Sequence, residues 1–267
     1  MSYFKEMEER IEGYEKQGDF SLIQGLPIMI RFDGSSFSKF TKGLNRPFDQ
    51  RLTDLMIEAC KFIVEHTNAR CGFVGSDEIT IVLYEDDINS QTMYGGRVCK
   101  PQSELAAKLS VRFNKLLPDY LLEKVGLEPY FDAKCWNVPG VDEVANCFLV
   151  RENSVTKNAI TMAALTLFST NELKCVNGKD KQEMMFSKGI NFNDYPVSFK
   201  RGVYVQKKKE FKKFSTEELD KLPTKHKARV NPDLEVERSV FHVVELPILS
   251  KIKNRVDVLL YGVEPIV

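Results

Sequence analysis

The sequence predicts an α+β fold: a ferredoxin-like βαββαβ antiparallel sheet with helices on one face, plus an appended C-terminal region of helices and strands. Three observations carry that prediction. Ile28, Ile30 and Phe32 alternate with other residues as in a strand, and the run stops at Asp33. A helical apolar face follows, and then two short strand-like runs separated only by Ser76 and Asp77. A second helical face and a further strand complete the order strand, helix, strand, strand, helix, strand, which is the split βαβ plan.

Each element has its own reason. Leu52, Leu55, Met56, Ala59, Phe62 and Ile63 recur at three- and four-residue steps, one apolar side of a helix. Pro47 suits the first turn of that helix, with its fixed φ and missing N–H. "CGFVGSDEITIVLY" reads as strands at about 71–75 and 78–84, with Ile79, Ile81 and Leu83 alternating. Leu105, Leu109, Phe113 and Leu116 mark the second helix, and "PYFDAKCW" from Pro129 supplies the next strand. This places one unit over 1–136 and a C-terminal region over 137–267. In that region a helix is expected over 158–168, a β-like tail at 202–206, and strands near 238–246 and 255–263.

Composition narrows the function classes. The chain has 267 residues with 38 basic and 38 acidic side chains, so a whole-protein basic field is excluded while a local patch is not. The acidic start lacks the apolar core of a signal peptide, and no apolar run approaches the roughly 18 residues of a membrane span. A soluble, cytoplasmic protein with no membrane partner is the expectation. Cysteines at 60, 71, 99, 135, 147 and 175 form no C-x-x-C pair and lie far in sequence from His66, His226 and His242. Reduced thiols are expected rather than zinc ligands or disulfides.

Residues 200–229 carry a local net charge of +7 in this neutral chain. Lys200, Arg201, Lys207, Lys208, Lys209, Lys212 and Lys213 form its first part, and Tyr204, Phe211 and Phe214 interleave with them. Cations beside stacking rings suit a single-stranded or terminal RNA segment, so an RNA-contacting role is expected there.

Asp33 and Asp77 end or join strands that are neighbours in the split βαβ plan, so the topology can bring them to one sheet edge. Two bare carboxylates about 4 Å apart repel by roughly 4 kcal/mol at an effective dielectric near 20. One takes up a proton, or a cation sits between them. Hard oxygen donors with room for water and phosphate suit Mg²⁺, and such a pair can serve two ions in an in-line phosphoryl transfer. Gly34 lets the backbone turn closely, and N–H groups through Ser35, Ser36 and Phe37 could cradle phosphate oxygens. Lys39, Lys42 and Arg46 lie in the following loop and could grip phosphate. The competing reading is a plain hairpin turn, since Asp-Gly is among the commonest turn pairs.

"RFDGSSFSKF", "RPFDQRLTDLM" and "GSDEITIVL" resemble the tRNA-histidine guanylyltransferase family and its guanylyltransferase-like relatives. The likeness continues through "FDAKCWNVP", "RENSVTKNAI", "ALTLFSTNEL" and "KGINFNDYPVSFKRG", covering most of 27–206. The resemblance implies a polymerase-palm fold and 3′-to-5′ nucleotide addition at the 5′ end of tRNA, after ATP or GTP activation of the 5′ phosphate. It implies two Mg²⁺ ions, GTP, ATP and other nucleoside triphosphates as ligands, and a homotetramer. By position, Asp33, the Gly34 carbonyl and Asp77 would ligate metal. Asp33, Gly34, Ser35, Ser36, Phe37 and Ser38, with Ser76 and Asp77, would contact nucleotide. Glu78 completes the S-D-E signature beside the two catalytic aspartates. Asn191 and Asn193 match the I-N-x-N stretch and would touch triphosphate or the tRNA end.

The chain departs from the eukaryotic type at two places. Arg46-Pro47-Phe48-Asp49 stands where Lys-Pro-Asn-Asp is usual, and arginine holds phosphate with a different geometry from lysine. Thr156-Lys157-Asn158-Ala159 stands where His-x-Asn-Asn is usual. Both departures lean toward the like-protein branch, which restores truncated tRNA 5′ ends by templated addition. Strict addition of one guanosine is the alternative. A nucleotide cyclase on the same palm and a non-catalytic RNA-binding protein with a relic palm are the rivals. The basic segment speaks against the first, and retention of Asp33, Gly34 and Asp77 speaks against the second.

Overall fold

The computed structural model describes residues 3–18, 20–87, 89–231 and 233–267. Its centre is a six-stranded antiparallel sheet in the order β4-β1-β3-β2-β5-β6, formed by β1 (Ile28–Ser35), β2 (Cys71–Gly75), β3 (Glu78–Leu83), β4 (Tyr130–Asn137), β5 (Val203–Lys213) and β6 (Glu235–Val244). The first four strands in that order are the palm plan expected from the sequence. Strands β5 and β6 extend the same sheet from the β2 edge, so the C-terminal region continues the palm sheet.

The helices are α1 (Tyr3–Glu15), α2 (Phe37–Phe40), α3 (Gln50–Thr67), α4 (Cys99–Tyr120), α5 (Val141–Ala164), α6 (Gly178–Ser187), α7 (Val197–Arg201), α8 (Thr216–Lys221), α9 (Lys227–Val230) and α10 (Arg255–Tyr261). Strand alternation sorts them into layers. Ile30, Phe32, Ile79 and Ile81 point to one face, where α3 and α4 pack through Leu55, Met56, Ile63, Leu109 and Phe113. Met29, Phe73, Val82 and Tyr204 point to the other, where α5 and α10 pack through Val144, Phe148, Val258 and Leu259. A smaller cluster joins the end of α5 to α6 and α7 through Ala163, Met185 and Phe199. Among the described residues no helix is long and apolar enough to cross a membrane.

Four elements differ from the sequence reading. The polar stretch after β1 contains a helical turn, α2, because Phe37 and Phe40 are core residues that turn inward together. Pro47 precedes α3 instead of opening it. Asp49 is the N-cap, its side chain accepting from the Arg51 N–H, and an aspartate cap sets a helix start more firmly than a nearby proline. Helix α5 starts at Val141, well before 158. Residues 255–261 form α10 where a strand was expected. Its valines favour strands, yet Val258, Leu259 and Leu260 are all buried in succession, as a helix wedged between elements allows.

Candidate active site

Asp33 lies near the end of β1, directly opposite Glu78 on β3 and Asp132 on β4. Asp77 occupies the two-residue turn between β2 and β3, with Ser76 before it in a left-handed conformation (φ 58°). The Gly34 N–H donates to the Asp77 carbonyl at 3.1 Å, which ties the end of β1 to that turn. That bond brings Asp33 and Asp77 close enough for the charge of one to act on the other.

Burial pushes the Asp77 carboxyl above its usual range, and the neighbouring Asp33 charge adds to the rise. Among the described residues neither aspartate is ion-paired with a lysine or arginine. Two carboxylates and a backbone carbonyl, with no lysine or arginine among the described residues paired to either acid, are a donor set that fits a hard divalent cation such as Mg²⁺. Glu78 is different. Arg151 Nη1 lies 3.2 Å from its Oε2, and Arg31 Nε lies 3.7 Å from the same oxygen. Burial raises its carboxyl, and the two guanidiniums oppose that rise. Arg31 Nε is itself buried without a hydrogen-bond acceptor.

Small residues follow Asp33 for reasons of packing. A Cβ on Gly34 would collide with the Phe37 ring, which sits against Phe40, Phe113 and Phe131. Ser36 takes a left-handed conformation (φ 57°) and leads into α2. The opening N–H groups of a helical turn have no acceptor within it, so Phe37 and Ser38 offer donors where they line the adjoining cleft. Ser35 Oγ sits 3.4 Å from Asp132 Oδ2.

That cleft has a volume of about 240 Å³ and abuts Ser76 and Asp77. Arg46 is on its rim, and its walls include Phe48, Val74, Val155, Ala159 and Met162. Phe48 stacks on Phe199 with ring centroids 4.9 Å apart. Asp49 also lines it, but Arg51 holds both its oxygens at 3.0 and 2.8 Å and keeps its carboxyl below the usual range.

The other residues singled out from sequence lie elsewhere. Asn191 caps a 3₁₀ turn by accepting from the Asn193 N–H, and the Asn193 carbonyl accepts from Lys200 Nζ. Neither asparagine lines the cleft. Arg201 donates to the Leu246 carbonyl, and Lys207 is half-buried, its pKa lowered by that burial. Lys208, Lys209, Lys212 and Lys213 pair with Glu264, Glu237, Glu210 and Asp233. Sequence reasoning missed Asp132, Arg31 and Arg151. The β1–β4 neighbourhood of the split βαβ plan would have found Asp132. The two arginines open the stretches "RFDGSSFSKF" and "RENSVTKNAI", but nothing in those stretches marks them as partners of Glu78.

A family model described as "Thg1: tRNAHis guanylyltransferase" matches residues 8–139. The tRNA(His) guanylyltransferase of Kluyveromyces lactis is 29% identical, over 71% of this chain and 86% of that protein. Among solved structures, a bacterial tRNA(His) guanylyltransferase-like protein in complex with ATP superposes with a TM-score of 0.77 at 29% identity, covering 96% of this chain and 99% of that one. A bacterial guanylyltransferase-like protein in complex with GTP gives 0.70 at 28% identity, over 92% and 94%.

Proposed function

Because the chain belongs to the tRNAHis guanylyltransferase family of nucleotidyltransferases, we propose that it adds nucleotides in the 3′-to-5′ direction to the 5′ end of tRNA, repairing truncated ends. The observation that carries this reading is that Asp33 and Asp77 lie close to one another, with Asp77 lining a cleft of about 240 Å³. Relatives of this chain are described in complex with ATP and with GTP, which supports a nucleoside triphosphate as the cleft's ligand.

Asp33, Asp77 and the Gly34 carbonyl would hold Mg²⁺, which when bound supplies positive charge to the triphosphate and acidifies the attacking hydroxyl. The chain's own groups set the geometry around that chemistry. The turn from Gly34 to Ser38 offers backbone donors to phosphate oxygens, and Arg46 adds a guanidinium from the other side of the cleft. Arg31 and Arg151 pair with Glu78 and oppose the burial that raises its carboxyl, which holds it in place opposite Asp33. The incoming nucleotide's 3′-hydroxyl attacks the activated 5′ phosphate of the tRNA, whose activating group leaves.

The cleft walls support the repair branch over single guanosine addition. Val74, Val155, Ala159 and Met162 offer a base apolar surface, and Asp49 is already engaged by Arg51. A hydrophobic pocket discriminates weakly between bases of similar shape, whereas strict selection needs committed hydrogen-bonding groups. Template pairing would then choose the nucleotide. The deciding assay supplies labelled tRNA transcripts lacking one 5′ nucleotide, ATP, and each nucleoside triphosphate in turn. Addition matched to the opposing base is expected. Guanosine alone, on histidine tRNA alone, would overturn the repair reading, and no product with any tRNA would overturn the enzymatic one.

A further inference from the structure

Helix α1 projects from the body of the protein. From Phe4 to Glu15 every residue but Met7 is exposed, with Ile11 at 46% and Tyr14 at 58%. A helix of 13 residues is marginal in water without a surface to pack on. Its sequence is nonetheless patterned for one. Met7, Ile11 and Tyr14 recur at steps of four and three, and so form one side of the helix. Glu8, Glu12 and Glu15 repeat those steps one position on, as a carboxylate row beside the apolar row; Glu12 meets Lys16 Nζ at 3.2 Å in an exposed pair that a docking partner can replace at little cost.

The outer face of α3 and α4 carries the complement. A shallow groove of about 330 Å³ is lined by Phe62, Ala107 and Val111, with Lys108, Arg112 and Lys115 along it. The three cations also recur at steps of four and three. Among the described residues none is ion-paired with a carboxylate: Lys108 Nζ lies 2.8 Å from His66 Nε2, and the Arg112 guanidinium lies 5.5 Å over the Phe62 ring. Arg112 Nε is buried without an acceptor. This row contrasts with the paired lysines of β5.

We propose that α1 of one copy of this chain docks in the α3–α4 groove of a second copy. Met7, Ile11 and Tyr14 cover Phe62, Ala107 and Val111, while Glu8, Glu12 and Glu15 meet Lys108, Arg112 and Lys115. Exchange in both directions makes an isologous two-fold pair. The surface lies away from the aspartate edge, so its failure would leave the nucleotide reading standing.

The test is charge reversal followed by complementation on the full chain. One variant is E8K/E12K/E15K and the other is K108E/R112E/K115E; both change exposed or rim positions, and circular dichroism and melting check that each folds. Light scattering across a concentration series reads the mass. Each variant alone is expected to weaken self-association by at least about tenfold. Mixing the two is expected to restore it, because each then supplies the partner that the other lacks. Unchanged mass in both variants, or a wild-type chain that is monomeric at micromolar concentration, would overturn the proposal. So would restoration only when all six changes share one chain, which would assign the groove to its own α1. A K108E/R112E/K115E variant of unchanged mass with weakened tRNA binding would assign the row to RNA phosphates instead.

Discussion

Where the end of β1 meets the β2–β3 turn, Asp33 and Asp77 lie close together, and among the described residues no lysine or arginine is paired to either. Along β5 and β6, Lys208, Lys209, Lys212 and Lys213 each have a carboxylate within 3.4 Å. In sequence the second region is far the more conspicuous. In the fold it is close to neutral, whereas the inconspicuous aspartates keep their charge unanswered. Charge density along a chain and charge left available to a ligand are therefore different quantities. The difference arises where strands pair and bring in partners from elsewhere.

Removing an unanswered charge should matter most. Asp77→Ala is expected to lower nucleotide addition by more than about a hundredfold while leaving the melting temperature unchanged or raised, because it relieves like-charge crowding. An active, folded variant would break the contrast between the two regions. Gly34→Ala comes next. The added methyl meets the Phe37 ring, so denaturant unfolding should show a loss of about 1–3 kcal/mol, with activity falling alongside.

Glu152 sharpens the comparison from the other direction, as a buried acid whose hydrogen-bond partners are neutral and whose nearby cation, Arg201, only partly offsets its burial. It accepts from the Leu249 N–H at 3.0 Å and from the Tyr204 hydroxyl at 3.2 Å, and burial raises its carboxyl above the usual range. A raised folded-state pKa means the native protein holds the proton longer than the unfolded chain. Its stabilising contribution is full below the ordinary glutamate range and is lost as pH climbs through the raised value. Glu152→Gln should flatten that part of the stability–pH profile, measured by melting from pH 4 upward. A slope identical to wild type would remove Glu152 as its source. The smallest effect is expected on β5. Lys209→Ala breaks an exposed pair with Glu237, so the melting temperature should stay within about 2 °C and tRNA affinity within about twofold. A larger loss of affinity would show that the lysine is available to RNA despite its partner.

The alternation of Ile28, Ile30 and Phe32 and the short β2–β3 turn made the palm legible, and with it the meeting of two aspartates far apart in sequence. What escaped reading depended on partners brought by the fold. Glu237 and Asp233 neutralise lysines more than a turn away in chain order because β6 returns beside β5. Asp132 reaches the site only through strand register. Residues 255–263 read as a strand, and packing against α5 and β5 made a helix of 255–261. Pro47 was outweighed by an aspartate cap two residues later.

One rod of the structure sets a length. Helix α5 touches Glu78 through Arg151, fills the space above Gly75 with Val155, and walls the cleft with Asn158, Ala159 and Met162. At about 1.5 Å of rise per residue, its first and last contacts stand roughly 16 Å apart along the axis. The helix thus fixes the interval between the Glu78 carboxylate, held at one end, and the far wall of the cleft at the other. A change of one turn in this helix would move one of those two contacts by about 5 Å relative to the other.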